Sequence, residues 1–234
     1  LRQLRVPEGK MAGKPLKLAK FQRDFVKGAM APKVAVGVLS IGRGNGKSAL
    51  SAGLALGELV GAFEEEPQPR REIILAARNR DQARIAFQFL LSFIDGLPEA
   101  DQEHFTNRRG SKYNLENAIL SGLGKRDGRA LIISTSAPND SNTFSRWLDE
   151  PPPGTFVQEH RPAPGLPADD LDSLLEANPG AVEGIGSSPE WLVAQAERAI
   201  ARGGSALSSF RNLNRNERVS TEDRSILITA DEWL

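Results

Sequence analysis

The stretch Lys33–Ser48 reads KVAVGVLSIGRGNGKS, and its two halves follow different rules. Lys33–Ser40 (KVAVGVLS) is a short apolar run rich in valine, the composition of a strand buried on both faces. Gly42-Arg43-Gly44-Asn45-Gly46-Lys47-Ser48 then alternates glycine with other residues before a Lys-Ser pair. Beyond it, Ser48–Phe63 is dominated by Ala, Leu and small residues, which favour a helix. Strand, glycine-rich turn and helix together form the setting in which such a loop holds phosphate. Glycines let backbone N–H groups curl around phosphate oxygens, and the helix N-terminus adds a partial positive charge. In that arrangement Lys47 would reach the β- and γ-phosphates and Ser48 would ligate Mg²⁺, so ATP with Mg²⁺ is the expected ligand. The strict pattern has a glycine five residues before Gly46, where this chain has Ile41. The loop is therefore a variant, and a plain glycine turn capping a helix is the competing reading.

Working outward, residues 1–15 carry Gly and Pro without a clear period and read as an arm. Leu16–Met30 places Leu18, Phe21, Phe25 and Val26 at helical spacing. On the other side, Glu64–Arg71 (EEEPQPRR) reads as a solvated loop and Glu72–Ala77 (EIILAA) as a second buried strand. Asp81–Ile94 follows as an amphipathic helix capped by Asp81. Alternating strand and helix is the signature of an α/β domain with a mostly parallel central sheet flanked by helices. After Pro98 the pattern weakens until Leu115–Leu123, read as a helix. Arg129–Ser134 (RALIIS) is a third strand, ending in the polar turn Thr135–Asn142. Proline and glycine dominate Pro151–Pro167, which reads as an irregular connector. Asp169–Ala177 and Pro189–Arg202 are helical, the latter with Ser188 as N-cap and Pro189 at its first position. Ser205–Leu234 is polar and closes in a short amphipathic piece.

Composition narrows the class. The 234 residues are 39% hydrophobic and 26% charged, the balance of a globular protein. No run approaches the roughly 18 apolar residues that would cross a bilayer. With no cysteine, disulfides and thiolate metal sites are excluded, and a cytoplasmic setting is permitted. His104 and His160 are isolated, which argues against a histidine zinc site. Lys+Arg and Asp+Glu stand at 30 each, so net charge does not advertise a nucleic-acid partner. The charge is nevertheless uneven: the first 33 residues are basic and residues 149–190 mostly acidic. Two differently solvated faces explain that as readily as a local DNA-binding surface.

Several stretches resemble one family, the large terminase subunits of tailed double-stranded DNA phages. The phosphate loop reads Arg43, two residues and then Gly46-Lys47-Ser48, an order similar to that common in the family. Leu18–Phe25 (LAKFQRDF) is similar to the family's leading helix, whose Phe-Gln pair contacts adenine; here that pair is Phe21-Gln22. Ala76–Ala83 (AARNRDQA) resembles the segment after the second strand. Leu131–Asn139 (LIISTSAPN) resembles the coupling motif, in which Ser134, Thr135 and Asn139 would sense the γ-phosphate. Ala177-Asn178-Pro179 and Phe210–Val219 (FRNLNRNERV) resemble the region closing the ATPase domain. The resemblance covers about residues 16–234. It implies a P-loop NTPase of the additional-strand type over residues 1–220, with a helical lid or linker from about 150. Residues 221–234 would begin a linker toward a nuclease domain, and no nuclease site is expected within this chain. It further implies an ATPase that assembles from monomers into a ring on the portal protein, with the small terminase subunit and duplex DNA as partners. The setting would be the host cytoplasm, on the viral procapsid. Arg43 would act in cis, and a trans arginine is matched best by Arg126, with Arg129 second.

One part is missing. An ATPase of this class needs an apolar strand ending in an Asp for Mg²⁺ and a Glu to activate water, expected within about residues 95–128. Nothing there fits, and the expectation is that the sequence closes over an absent stretch near Tyr113–Leu115. Leu148-Asp149-Glu150 has the right letters, but a polar run precedes it and it follows the coupling motif. A surface helix end is the better reading of it. Another P-loop motor such as a helicase, a nucleotide-binding module without hydrolysis, and a small-molecule kinase share the loop and remain alternatives.

Overall fold

The computed structural model describes residues 4–6, 12–63, 73–74, 77, 80–97 and 128–219. They fall into two compact units. The first comprises residues 1–35 and 46–130, and the second residues 36–45 and 131–234.

In the first unit, α1 (Lys20–Ala29) starts later than its apolar period. Gln22 explains why: its side-chain carbonyl accepts from the Ala19 N–H at 3.0 Å and fixes the first turn there. α2 (Lys47–Leu59) opens directly from the glycine-rich loop and ends four residues earlier than its composition suggests. Gly61, at φ 70°, turns the chain back. α3 (Arg80–Asp95) begins one residue before Asp81, so Asp81 lies in the first turn rather than at the cap. Ala52, Ala55 and Leu56 of α2 meet Leu90 and Phe93 of α3, joined by Leu4, in a buried apolar cluster. The i, i+3, i+4 spacing on α2 is what puts three of these on one stripe. Of the strand read at Glu72–Ala77, only residues 73, 74 and 77 are described, and they lie outside any strand. The helix read at Leu115–Leu123 lies outside the described residues.

The second unit is built on a three-stranded sheet in the order β2-β1-β3, where β1 is Val36–Ser40, β2 Ala130–Ser134 and β3 Thr155–Glu159. β1 and β3 pair in parallel, from Val36 opposite Thr155 to Ser40 opposite Glu159. Along β2, Ala130 N–H donates to Ala35 C=O and Ile41 N–H to Ser134 C=O. Both strands advance together between these bonds, so this pair is parallel too. All five residues of β1 are buried, as expected of a central strand in such a sheet. β2 and β3 are half-buried.

β3 corrects the reading of Pro151–Pro167 as irregular. Thr155-Phe156-Val157 is a short β-forming run, and the prolines flanking it sit outside the ladder, where their missing N–H is harmless. Two further helices, α4 (Thr143–Asp149) and α5 (Leu171–Ala177), begin on Asn142 and Asp170 side chains that accept from Phe144 and Ser173 amides. After a 3₁₀ turn at Ala181–Glu183 comes α6 (Pro189–Arg202), whose Ser188 hydroxyl accepts from Trp191 N–H as its sequence implies. The polar tail contains a further helix, α7 (Gly204–Asn214). Leu174 of α5, Leu192, Ala196 and Ala199 of α6 and Phe210 of α7 form this unit's apolar cluster with Ala181. The observed α/β architecture, a parallel sheet with flanking helices, is the one expected.

Candidate functional site

β1 ends at Ser40, and the chain after it is tied down one amide at a time. Ile41 N–H donates to Ser134 C=O (3.0 Å), Gly42 N–H to Ala177 C=O (3.1 Å) and Arg43 N–H to Leu213 C=O (2.7 Å). Gly42 admits no side chain: a Cβ there would lie 2.7 Å from Asn178 Oδ1 and 2.9 Å from the Ala177 and Asn214 carbonyl oxygens. Gly44 (φ 92°) and Gly46 (φ 68°) adopt the left-handed backbone that the curl of the loop requires.

The Asn45 side chain is engaged within the protein. It is buried, donates to Gly42 C=O (3.0 Å) and Asn178 Oδ1 (2.9 Å), and accepts from Gly180 N–H (3.1 Å). Asn178 in turn donates to Leu174 C=O (2.8 Å) and Asn214 C=O (2.6 Å). Whatever Asn45 offers a ligand therefore comes from its backbone. The amides of Gly44, Asn45 and Gly46 have no carbonyl partner among the described residues. α2 starts at Lys47, and its first Gly46-accepted bond is Leu50 N–H at 2.9 Å, leaving the amides of the first turn outside the helical ladder. A row of inward-curled amides at a helix N-terminus attracts an anion. Arg43 is exposed, while Lys47 and Ser48 are half-buried at the start of α2.

The other expected site residues are distributed as follows. Phe21 and Gln22 are both buried on α1, and Gln22 Oε1 is engaged at that helix's own N-terminus. Ser134 closes β2 and accepts from Ile41, and Thr135 follows it half-buried. Asn139 is exposed, with its side chain accepting from Ser141 (2.9 Å) and its carbonyl from Ser145 (2.7 Å). Arg126 lies outside the described residues, as does the stretch 98–127 that would hold the missing acidic pair. Arg129 is folded onto its own unit: Nε donates to Val34 C=O (3.1 Å) and Nη1 approaches Met30 Sδ at 2.9 Å.

Asp149 is held in an ion pair. Arg218 grips both its carboxylate oxygens at 2.6 Å and also reaches Asp140 at 2.9 Å. The hydrogen bonds from Arg218 hold the Asp149 carboxyl below its usual range, and the same carboxylates push the guanidinium up. Among the described residues no cluster of three or more His, Asp or Glu could hold a metal ion.

Motif reading passed over the residues doing most of the holding: Asn178, Asn212, Asn216 and Ser136, all buried. Their advance signals were the stretches that contain them, Leu131–Asn139, Ala177-Asn178-Pro179 and the asparagine-rich run FRNLNRNERV.

No family model matches the chain. A curated relative, the terminase large subunit of Enterobacteria phage HK97, is 29% identical over 275 residues, covering 97% of this chain and 53% of the relative. The crystal structure of the HK97 bacteriophage large terminase superposes with a TM-score of 0.76 at 26% identity, over 93% of this chain and 53% of that one. The chain thus spans about half the length of the relative it matches. The matched span of 275 residues also exceeds this chain's 234, so the relative carries positions with no counterpart here. Over nearly its whole length, in sequence and in fold, this chain is similar to the large terminase subunit.

Proposed function

We propose that this chain is the ATP-hydrolysing part of a phage DNA-packaging motor, a P-loop NTPase of the additional-strand type. The observation that carries the reading is the loop 42–48. Its first amides are fixed to the protein, while those of Gly44, Asn45 and Gly46, which lead into the start of α2, have no carbonyl partner among the described residues. That division suits a phosphate cradle: one half gives rigidity and the other gives donors. Lys47 would neutralise charge on the β- and γ-phosphates, and Arg43, exposed on the same loop, would add to it in cis. The Ser48 hydroxyl would be this chain's ligand to Mg²⁺, and the ion would supply neutralisation of the charge that develops on the phosphates. Phe21 and Gln22 would contact adenine, and Ser134, Thr135 and Asn139 would respond to the γ-phosphate. Arg126 is proposed as the arginine given in trans to a neighbour in a ring. Duplex DNA, the portal protein and the small terminase subunit are the proposed partners, acting on the procapsid in the host cytoplasm. No helix among the described residues is long and apolar enough to cross a membrane.

The test is ATP turnover by the intact protein and by Lys47→Ala, at rising protein concentration, with and without duplex DNA. Turnover that climbs with concentration and falls at least about 100-fold in the variant is expected. Binding without turnover points to a nucleotide-binding module, and strand unwinding points to a helicase. If ATP is not bound, or Lys47→Ala changes nothing, the phosphate-loop reading fails.

A further inference from the structure

Three parallel strands end at one edge of the second unit, and a single side chain reaches all three. Asn216 Oδ1 accepts from Ser136 N–H (2.6 Å), two residues past the end of β2. Its Nδ2 donates to Ser40 Oγ (2.9 Å), the last residue of β1, and to His160 C=O (2.9 Å), just beyond β3. Its own carbonyl accepts from Ser136 Oγ (2.5 Å). Asn216 is fully buried and stands at φ 56°. Asparagine suits the position on two independent counts. It tolerates the left-handed backbone better than other side chains except glycine, and its amide carries the acceptor and two donors used here. Aspartate would keep the acceptor and lose both donors.

The same short segment also holds the phosphate loop. Leu213 C=O accepts from Arg43 N–H, and Asn214 C=O accepts from Asn178, the partner of Asn45. Asn212 donates to Ser136 C=O (3.1 Å) and Glu217 C=O (2.8 Å). Residues 212–216 thus grip the loop through positions 213 and 214, and the turn after β2 through 212 and 216. Neither the turn nor the loop can shift by an ångström without disturbing bonds to this segment.

We infer that Asn216 is a positioning residue, which keeps the turn Ser134–Ser136 in register with the phosphate loop for ATP hydrolysis. The inference rests on the function proposed above and assigns a mechanical role within it. Asn216 need not touch nucleotide. Ground-state affinity resides in the loop amides and Lys47, whereas turnover depends on placement finer than an ångström at the γ-phosphate. Loss of Asn216 should therefore separate the two.

The experiment uses the intact protein carrying Asn216→Asp or Asn216→Gly, glycine retaining the backbone conformation while deleting the amide. Turnover, KM and the affinity for a non-hydrolysable ATP analogue are measured together with Tm. The expected result is kcat lowered by about 10- to 100-fold with analogue affinity within about threefold of wild type. Ser136→Ala removes the hydroxyl's bond to the Asn216 carbonyl and its longer one with Ser40 Oγ (3.4 Å), leaves the Asn216 side-chain bonds in place, and should show the same split in milder form. In the double variant Ser136→Ala/Asn216→Gly the loss should exceed that of Asn216→Gly alone, because glycine keeps the backbone carbonyl to which Ser136 Oγ donates. Unchanged kcat in a folded variant overturns the inference, and so does loss of kcat and analogue affinity by the same factor. If the Asn216 variants do not fold, normal turnover by Ser136→Ala overturns it. A wild type that binds the analogue but shows no split in the variants removes only this inference. A wild type that neither binds nor hydrolyses ATP removes the phosphate-loop reading as well.

Discussion

The α2–α3 pair of the first unit and the strand ends of the second are held by opposite kinds of force. Between the helices the contact is Ala52, Ala55 and Leu56 against Leu90 and Phe93, apolar atoms with no preferred direction beyond shape. At the strand ends the contact is amide to amide: Asn45 with Asn178, Asn178 with Asn214, Asn212 and Asn216 with Ser136. Burying apolar surface stabilises in proportion to area, about 25 cal/mol per Å², and a helix pair can settle by small slides. A buried hydrogen bond contributes only about 1 kcal/mol net, yet leaving one partner unmatched costs about 1–3 kcal/mol. Apolar packing therefore supplies stability with some freedom of position. The amide network supplies position, and tolerates almost no substitution. A loop proposed to hold its backbone donors in a fixed curl would need the second kind.

The contrast can be broken from the apolar side first. Phe93 is almost completely buried in the helix-pair cluster. Phe93→Ala should lower unfolding free energy by about 3–5 kcal/mol, read from urea titration. A loss under about 1 kcal/mol would mean that the cluster is not what holds the two helices. From the polar side the sharper probe is Gly186, at φ 78°, where an added Cβ would sit 1.7 Å from the Gly44 carbonyl oxygen. Gly186→Ala should cost about 1–3 kcal/mol in stability. Because the clash falls on the phosphate loop itself, binding of an ATP analogue should weaken as well, whereas Phe93→Ala should leave the folded protein's affinity near wild type. Equal effects of both variants on analogue binding would erase the distinction drawn here.

What the sequence disclosed divides along the same line. α2 and α6 are legible because small or apolar residues recur at helical spacing, and α6 also carries Ser188 and Pro189 at its start. β1 is legible because a buried central strand is a continuous apolar run, and the glycine-rich loop because its backbone demands glycine. β3 escaped notice because three prolines precede it and three more follow within eight residues, and composition averaged over that window hides a five-residue strand. Asn178, Asn212 and Asn216 escaped as site elements for a deeper reason. A side-chain amide that bridges residues 40, 136 and 160 leaves no period and no fixed spacing, since its partners are set by topology. Sequence order did carry their neighbourhood, because the stretches around 177 and 210–219 resemble the closing region of the family. Their individual roles required coordinates.

Arg218 gives the smallest and cleanest test, because it converts a misleading motif into a measurable ion pair. Asp149 is the last residue of α4, where the helix dipole disfavours a negative charge. Arg218, itself nearly buried, offsets that with two bonds to the carboxylate. Its hydrogen bonds lower the Asp149 pKa relative to the unfolded chain. A depressed carboxylate stabilises the fold above its unfolded pKa, about 3.9, and the contribution disappears as pH falls through the lower folded value. Asp149→Asn keeps the shape and removes the charge. Since the Asp149 side chain is 43% exposed, the loss near pH 7 should stay within about 1 kcal/mol. The gap between wild type and variant should hold from pH 7 to about pH 5 and then close as acid protonates Asp149. Urea midpoints taken at several pH values would show it. A gap that persists below the folded pKa would mean that shape, not charge, ties α4 to the closing segment. Turnover supplies the second arm, since a carboxylate whose oxygens are both held by Arg218 is poorly placed to activate water. An Asp149→Asn variant that folds normally and loses turnover by orders of magnitude would return Leu148-Asp149-Glu150 to the catalytic site, and the amide-held loop would then need a different acidic partner from the one sought before β2.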